Sequence, residues 1–382
     1  MPTRNDTRLN ILLLMAKLPT ADMSPSLFGT THSRAAAALA LINPEHSFLP
    51  QDFLALMKFG FVWALLWCAR LVYALSSCFR YKPTAFVVGF PKCGTTALMA
   101  MMAMQLSGVV TPSWFAIWGK ETNRQQTMRW LPYGTFFPLA LRAPSSIAVD
   151  GSPDVVFIPH LAESFGPDAK FIFCVRDHLS AFHSYVNFVF LQLLKFDRRI
   201  KLRGLLDIMQ DPALYLPGSN LVEQVRMWKG CFAKSKTVVE ATTTMEVEAR
   251  RLGIIPLYKA MMIGYEKNIA RQSFQFFSVS RIVAQLSMGC HITRWAGTVR
   301  KDQIIVIENE CLQSNPNFVY SHLAAFLGVS HKCKDIKNKT FNPTKVTSGF
   351  SLRPEAAASL SEFFYDDKAI LERLSTELLW VK

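Results

Sequence analysis

A glycine-rich segment at residues 89–96 (GFPKCGTT) carries the residue types best suited to binding an anion. It lies between an apolar run and a helical pattern, so that backbone N–H groups and a helix amino terminus converge on one point. Gly89 and Gly94 have the spacing of the nucleotide-triphosphatase loop, but Thr95 stands where that loop has its lysine. Lys92, inside the loop, supplies the cation instead. The candidate binding residues are Pro91, Lys92, Cys93, Gly94, Thr95 and Thr96.

A second candidate anion site lies in residues 167–188 (PDAKFIFCVRDHLSAFHSYVNF). An apolar strand ends at residue 175, Arg176 follows it directly, and Ser184 lies on the helix that we expect next. The guanidinium group offers a fork of N–H donors and the serine a single hydroxyl donor. We therefore expect Arg176 and Ser184 to bind one anionic group together.

Short apolar runs separated by helical stretches predict an α/β fold with a central, mostly parallel sheet flanked by helices and a phosphate-binding loop. The helical pattern after the loop covers residues 96–106, and two more lie at 319–327 and 354–379. The predicted strands are residues 84–89, 146–149, 170–175 and 303–308.

The amino-terminal part of the chain differs in character from the rest. Residues 1–58 are expected to form a tail, and residues 59–78 (FGFVWALLWCARLVYALSSC) form an apolar stretch long enough for a transmembrane helix, although Arg70 lies inside it. The alternative is a helix that lies on the membrane or packs on the following domain. Basic residues before the stretch favour a cytoplasmic amino terminus, so the catalytic domain at 84–382 would lie on the opposite side.

Charge and cysteine content narrow the possible partners. The net charge of +14 implies an anionic partner, which a nucleic acid, a membrane, a glycan or a phosphorylated cofactor would satisfy. The eight cysteines show no CxxC pair and no zinc-ligand spacing, so we expect no metal site. Most are expected to be buried, with one disulfide among Cys290, Cys311 and Cys333 as an alternative in an oxidising compartment.

The loop and the Arg/Ser pair resemble those of the sulfotransferases that use 3′-phosphoadenylyl sulfate (PAPS). The stretch FPKCGTTAL is similar to that family's loop, and Arg176 with Ser184 is similar to its strand-Arg-x-Pro-x(5)-Ser pattern, with His178 in place of the proline. The resemblance implies that PAPS is the donor, without a metal, and that Arg176 and Ser184 hold its 3′-phosphate. It further implies a transfer of the sulfuryl group to an acceptor hydroxyl.

A resemblance to the membrane-bound carbohydrate sulfotransferases of the heparan type rests on later segments, namely Lys120-Glu121, residues 149–153 (VDGSP) and residues 304–312 (IIVIENECL). That resemblance implies a glycan acceptor, a Golgi membrane location with a luminal catalytic domain, and no nucleic-acid partner. It suggests Glu121 as the general base, with Lys120 or Lys92 near the bridging oxygen, and His160 as the rival base. Lys337 and Lys339 occupy the place of the family's cofactor loop, although its glycine is missing.

Two other function classes compete with sulfuryl transfer. In a P-loop kinase or nucleotide triphosphatase, Asp150 would be the metal-binding aspartate, but Thr95 at the lysine position argues against that class. A non-catalytic, membrane-bound polyanion-binding protein would account for the net charge and the apolar stretch. Binding of adenosine 3′,5′-bisphosphate distinguishes an enzyme with a PAPS pocket from such a scaffold.

Overall fold

The structure is a computed structural model, and it describes residues 74–112, 133–140, 146–196, 209–235, 240, 244, 247–248, 279–332 and 351–382. The chain divides into two compact units. The first comprises residues 1–83 and 112–144, and the second comprises residues 84–111 and 145–382. All described candidate residues belong to the second unit. The predicted residues Lys120, Glu121, Lys337 and Lys339 lie outside the described residues.

A six-stranded sheet with strand order β3-β4-β1-β5-β6-β8 organises the second unit. The pairs β3–β4, β1–β5, β5–β6 and β6–β8 are parallel, which confirms the predicted central and mostly parallel sheet. β2 and β7 form a separate antiparallel pair. The strands are β1 (Pro83–Val87), β2 (Leu106–Ser107), β3 (Val109–Val110), β4 (Ile147–Asp150), β5 (Lys170–Val175), β6 (Ile304–Glu308), β7 (Ser330–His331) and β8 (Leu379–Val381).

The central strands are continuous apolar runs because helices cover a parallel sheet on both faces. β5 (KFIFCV) and β6 (IIVIE) are buried along almost their whole length. Trp295 packs against Phe171 and Phe173 of β5, and its indole N–H donates to the carbonyl oxygen of Val156 at 2.8 Å. This packing fixes the strands whose carboxyl ends form the candidate site.

Helices connect and cover the strands. The longer ones have recognisable start and stop signals: Pro316 at the first turn and left-handed Gly328 after the last turn delimit the helix that precedes β7. The helices are α1 (Thr95–Gln105), α2 (His178–Phe196), α3 (Asn220–Lys234), α4 (Val279–Gln285), α5 (Met288–Ala296), α6 (Asn309–Ser314), α7 (Pro316–Leu327), α8 (Pro354–Phe363) and α9 (Tyr365–Glu377).

The carboxyl-terminal elements differ from the sequence expectation. The predicted helix over residues 354–379 is two helices, α8 and α9, because Phe364 leaves the helical path and buries its ring against the imidazole of His178, with ring centroids 4.6 Å apart. The chain then forms the edge strand β8. Its Trp380 indole N–H donates to Glu308 Oε1 at 2.8 Å, at the carboxyl end of β6.

The first unit is described in two short segments. Residues 74–75 are helical, and a 3-10 helix, Ser77–Phe79, follows them. The Arg80 side chain donates to Ser76 Oγ and to the carbonyl oxygen of Phe137, both at 2.9 Å. Among the described residues no helix is long and apolar enough to cross a membrane. Most of the apolar stretch at 59–78, with its predicted transmembrane helix, lies outside the described residues.

None of the described cysteines forms a disulfide. Cys93, Cys174, Cys231 and Cys311 are buried, as small apolar side chains are expected to be. Of the three candidates for a disulfide, the half-buried Cys290 and the buried Cys311 form none, and Cys333 lies outside the described residues.

Candidate functional site

The loop between β1 and α1 turns tightly because two of its positions have no room for a side chain. A Cβ atom at Gly89 would overlap Thr95 Cγ2, and one at Gly94 would overlap Asn309 Oδ1. Gly94 also has a φ of 93°, in the left-handed region that glycine adopts without strain. Both glycines are therefore required sterically, and the loop ends at the amino terminus of α1, where free N–H groups favour an anion.

Lys92 lies at the most unusual backbone position of this loop. Its φ is 65°, and among the described residues no other non-glycine residue has a positive φ. Its ammonium group lies over the ring of Phe188, 4.7 Å from the ring centroid. Burial, together with the charge of nearby Arg176, lowers the pKa of Lys92. The amine is thus held in a partly desolvated place beside a second cation.

Arg176 follows β5, the strand next to β1, so its side chain reaches the loop. Its Nη1 donates to the carbonyl oxygen of Lys92 at 3.4 Å, a long hydrogen bond. Its Nε is buried and has no hydrogen-bond partner among the described residues. Among the described residues, the nearest carboxylate is that of the half-exposed Glu310, 4.0 Å from this Nε. A buried guanidinium donor without an acceptor is costly, and an anionic ligand would satisfy it.

The other predicted loop residues fall into two groups. Thr95 is buried and Thr96 half-buried, and both open α1. Cys93 is fully buried, and its thiol contacts the carbonyl oxygen of Pro91 at 3.7 Å and Met288 Sδ at 3.8 Å. Burial raises the pKa of the Cys93 thiol, and the nearby Cys174 raises it further. Cys93 is therefore a neutral packing residue of the loop.

The carboxyl ends of two further strands meet the same edge of the sheet. After β6, Asn309 is buried against Gly94 of the loop, and Glu310 approaches Arg176. At the end of β4, Asp150 is buried and accepts a hydrogen bond from Ser152 Oγ at 2.8 Å. In open α/β sheets ligands bind at this edge of the strands.

The start of α2 is tied to two other helices. His178, the first residue of α2, has Nε2 2.9 Å from Oδ2 of Asp367 on α9. The Asp367 carboxylate also accepts from the backbone N–H groups of Gly289 and Cys290 at the start of α5, both at 2.9 Å. Asp177 caps α2 itself by accepting from Ser180 N at 2.9 Å. The residue in the family's proline position thus anchors the turn that carries Arg176.

Comparison with protein-family models identifies the family of the chain. A family model described as "Sulfotransferase domain" matches residues 82–353. The chain belongs to the sulfotransferase family. A solved sulfotransferase from Alicyclobacillus acidocaldarius is among the similar structures, covering 77% of this chain and 96% of its own, at 16% sequence identity and a TM-score of 0.42. No curated protein sequence matches.

The remaining predicted residues of this sulfotransferase are placed as follows. Ser184 lies on α2, half-buried, one helical turn before Phe188. His160 is exposed, in the 3-10 helix Pro159–Phe165. The structure therefore brings together Lys92 and Arg176. Ser184 lies on α2, the helix that also carries Phe188, whose ring contacts the Lys92 ammonium group.

Sequence reasoning missed three side chains at the site of the sulfotransferase: Phe188, Asn309 and Asp367. Asn309 directly follows a predicted strand, and polar residues at that place are a signal for the ligand edge of a parallel sheet. Phe188 lies four residues after Ser184, so helical spacing would have placed both on one face. Asp367 lies far along the chain from His178, and no sequence signal joins them.

Proposed function

We propose that the sulfuryl donor of this sulfotransferase is PAPS and that the acceptor is a hydroxyl group. One observation carries the proposal: the Arg176 guanidinium donates to the backbone carbonyl oxygen of Lys92, and two cationic side chains at neighbouring strand ends are close enough to affect each other electrostatically. Their charges repel each other, which contributes to the lowered pKa of Lys92. An anion bound between them offsets that repulsion, so the arrangement favours a ligand with closely spaced negative groups.

The residues of the site fit the two charged ends of PAPS. The buried Nε of Arg176 has no partner in the described part of the chain, and a phosphate oxygen is the acceptor that matches a guanidinium fork. We assign the 3′-phosphate to Arg176 and Ser184. The phosphosulfate end is assigned to the loop, to the N–H groups at the start of α1 and to Lys92.

PAPS supplies, when bound, a sulfuryl group attached to a phosphate leaving group. Lys92 has three ammonium N–H donors and places positive charge where negative charge develops as that phosphate leaves. Gly89 and Gly94 let the loop pack closely against Thr95 and against Asn309, the first residue of α6. Rate acceleration then comes mainly from positioning and charge neutralisation.

For the proton of the acceptor hydroxyl we propose Glu121 as the general base, aided by Lys120, with His160 as the rival. The proposal rests on the resemblance to the carbohydrate sulfotransferases. His160 is exposed. Glu121→Gln should lower kcat about a hundredfold while leaving nucleotide binding unchanged. His160→Ala and the control Glu163→Gln should be mild. The opposite ranking assigns the base to His160.

The donor proposal is tested by titrating adenosine 3′,5′-bisphosphate calorimetrically and by measuring transfer from labelled PAPS. Arg176→Ala should weaken nucleotide binding about 10- to 100-fold, the loss expected for charge-assisted hydrogen bonds to phosphate. Lys92→Ala should mainly lower kcat. Matched controls are Arg300→Ala and Lys301→Ala, exposed cations at the other end of β6.

Two outcomes would contradict the donor proposal. Nucleotide binding that is indifferent to Arg176→Ala would remove the 3′-phosphate assignment. Phosphoryl transfer from Mg-ATP in the same acceptor assay, with no transfer from PAPS, would place the chemistry in the nucleotide-kinase class.

We further propose that the acceptor is a carbohydrate and that the enzyme is a single-pass Golgi membrane protein with a luminal catalytic domain. Support comes from the resemblance, and from the exposed side chains of Leu75, inside the apolar stretch 59–78, and Phe79, directly after it. A panel of glycans, lipids and small alcohols tests the acceptor. Protease added to sealed microsomes should spare the catalytic domain, and its digestion from outside would contradict the luminal location.

A further inference from the structure

Among the exposed aromatic residues that the structure describes, Phe188 is distinguished by the cation over its ring. Its side chain is 37% exposed, and the Lys92 ammonium lies 4.7 Å from its ring centroid. That distance is within the roughly 6 Å range of a cation–π contact. A singly exposed phenylalanine is ordinary on a protein surface, but one that contacts the lysine of an anion-binding loop has a defined partner.

The surroundings of Lys92 disfavour a charged ammonium group, so a contact that stabilises the charge matters there. The ammonium group is partly desolvated and lies beside Arg176, and both effects disfavour its charged form. Glu310, the carboxylate nearest to this pair among the described residues, is 4.0 Å from Arg176 Nε and is half-exposed. The negative face of the Phe188 ring favours the charged form and replaces part of the lost hydration.

The fold explains why the ring is in this place. α2 follows directly on β5, whose neighbour β1 leads into the loop of Lys92. Ser184 and Phe188 are one turn apart and share a face of α2. The same helix face thus presents a hydroxyl and an aromatic ring, and the ring reaches the lysine.

We propose that Phe188 is a positioning residue for sulfuryl transfer, which holds the Lys92 ammonium group charged and aimed at the donor through a cation–π contact. The role of Lys92 in this inference rests on the proposed function. Because the ring approaches the ammonium group from one side, N–H donors remain available on the other sides for the donor oxygens. The contact therefore persists with donor bound and acts on the rate more than on donor affinity.

The first test measures the contact itself, without any substrate. The pKa of the Lys92 ammonium group is followed by NMR of isotope-labelled lysine in the purified, donor-free protein, with Lys92→Arg to assign the signal. Phe188→Leu should lower this pKa by about 0.5–1 pH unit, the size expected when a cation–π contact is lost. Phe188→Trp should retain or raise it. An unchanged pKa in Phe188→Leu would overturn the proposal.

Fluorination of the ring gives a finer test with little change of shape. Fluorine atoms withdraw charge from the ring face, so the Lys92 pKa should fall stepwise as fluorinated phenylalanines replace Phe188. The matched control is Phe318→Leu, at a residue of similar exposure, 41%, whose ring contacts His322 on α7. This control should leave the Lys92 pKa unchanged. A Lys92 pKa that does not respond to ring fluorination would contradict a cation–π contact.

The second test uses turnover. Phe188→Leu should lower kcat about 3- to 10-fold, change the affinity for adenosine 3′,5′-bisphosphate less than about twofold, and move the alkaline limb of the kcat profile to lower pH. Phe188→Trp should restore all three. If PAPS proves not to be the donor, the NMR titration still decides the contact. If PAPS is the donor and Phe188→Leu has normal kcat and pH profile, the inference alone fails.

Discussion

The carboxylate of Asp367 offers the sharpest test of how the described structure is held together. It is 6% exposed and receives three hydrogen bonds of 2.9 Å, from His178 and from the backbone N–H groups of Gly289 and Cys290. Asp367→Ala removes the acceptor for all three buried donors at once. Breaking a buried pair in this way costs about 3–5 kcal/mol of unfolding free energy.

Urea unfolding followed by tryptophan fluorescence and circular dichroism measures this loss. The neighbouring residue provides a matched control, because Asp366 lies in the same first turn of α9 but is exposed. Asp366→Ala should cost less than about 1 kcal/mol, the value of an acidic residue near a helix amino terminus. Asp367→Asn keeps one acceptor oxygen and should fall between the two. Equal unfolding midpoints for Asp366→Ala and Asp367→Ala would refute the anchoring role.

The same carboxylate predicts a dependence on pH. Burial alone would raise the pKa of Asp367, but the hydrogen bonds from His178, Gly289 and Cys290 outweigh it and lower the pKa below its usual value. A carboxyl with a lowered folded-state pKa stabilises the fold above the unfolded pKa of about 3.9 and loses that contribution as the pH falls through its folded value. Wild-type protein should therefore lose more stability below about pH 4 than Asp367→Ala does.

Three further perturbations have defined outcomes. Gly94→Ala should cost about 2 kcal/mol of unfolding free energy and most nucleotide binding, because residue 94 has a positive φ and the new Cβ would overlap Asn309. Adding Asn309→Ala should restore only the part of this loss that the overlap causes. Calorimetry measures both effects. Burial lowers the pKa of His291 to about 4. The unfolding free energy should therefore fall by about 2–3 kcal/mol as the pH is lowered from about 6.5 to 4. His291→Leu should reduce this dependence of the unfolding free energy on pH. Trp380→Phe should cost about 1 kcal/mol in urea unfolding through the lost hydrogen bond to Glu308, and no change would contradict a role for that bond.

The sheet was predictable from sequence where strands are buried on both faces. The predicted strand at 170–175 coincides with β5, and the one at 303–308 differs from β6 by its first residue. A continuous apolar run of that length, bounded by polar residues, is typical of a strand buried on both faces. The phosphate-binding loop was predictable because its strand, glycine spacing and helix form a local sequence pattern, although the contact of Gly94 with Asn309 joins distant segments.

Elements that depend on distant partners were not predictable. β8 is only three residues long and exists through its pairing with β6. The break between α8 and α9 arises because Phe364 packs on His178, far earlier in the chain. At the site, the contact of Lys92 with Phe188 and the hydrogen bonds of Asp367 likewise join segments that only the tertiary fold brings together.

The backbone of Lys92 has a consequence for the stability of the sulfotransferase as a whole. A lysine with a φ of 65° stores about 1–2 kcal/mol of conformational strain that a glycine would not. Lys92→Gly should therefore unfold at higher temperature than the wild type even though it lacks the ammonium group. Selection for thermal resistance alone would remove this side chain, so thermostabilised variants need to be screened for transfer at every step.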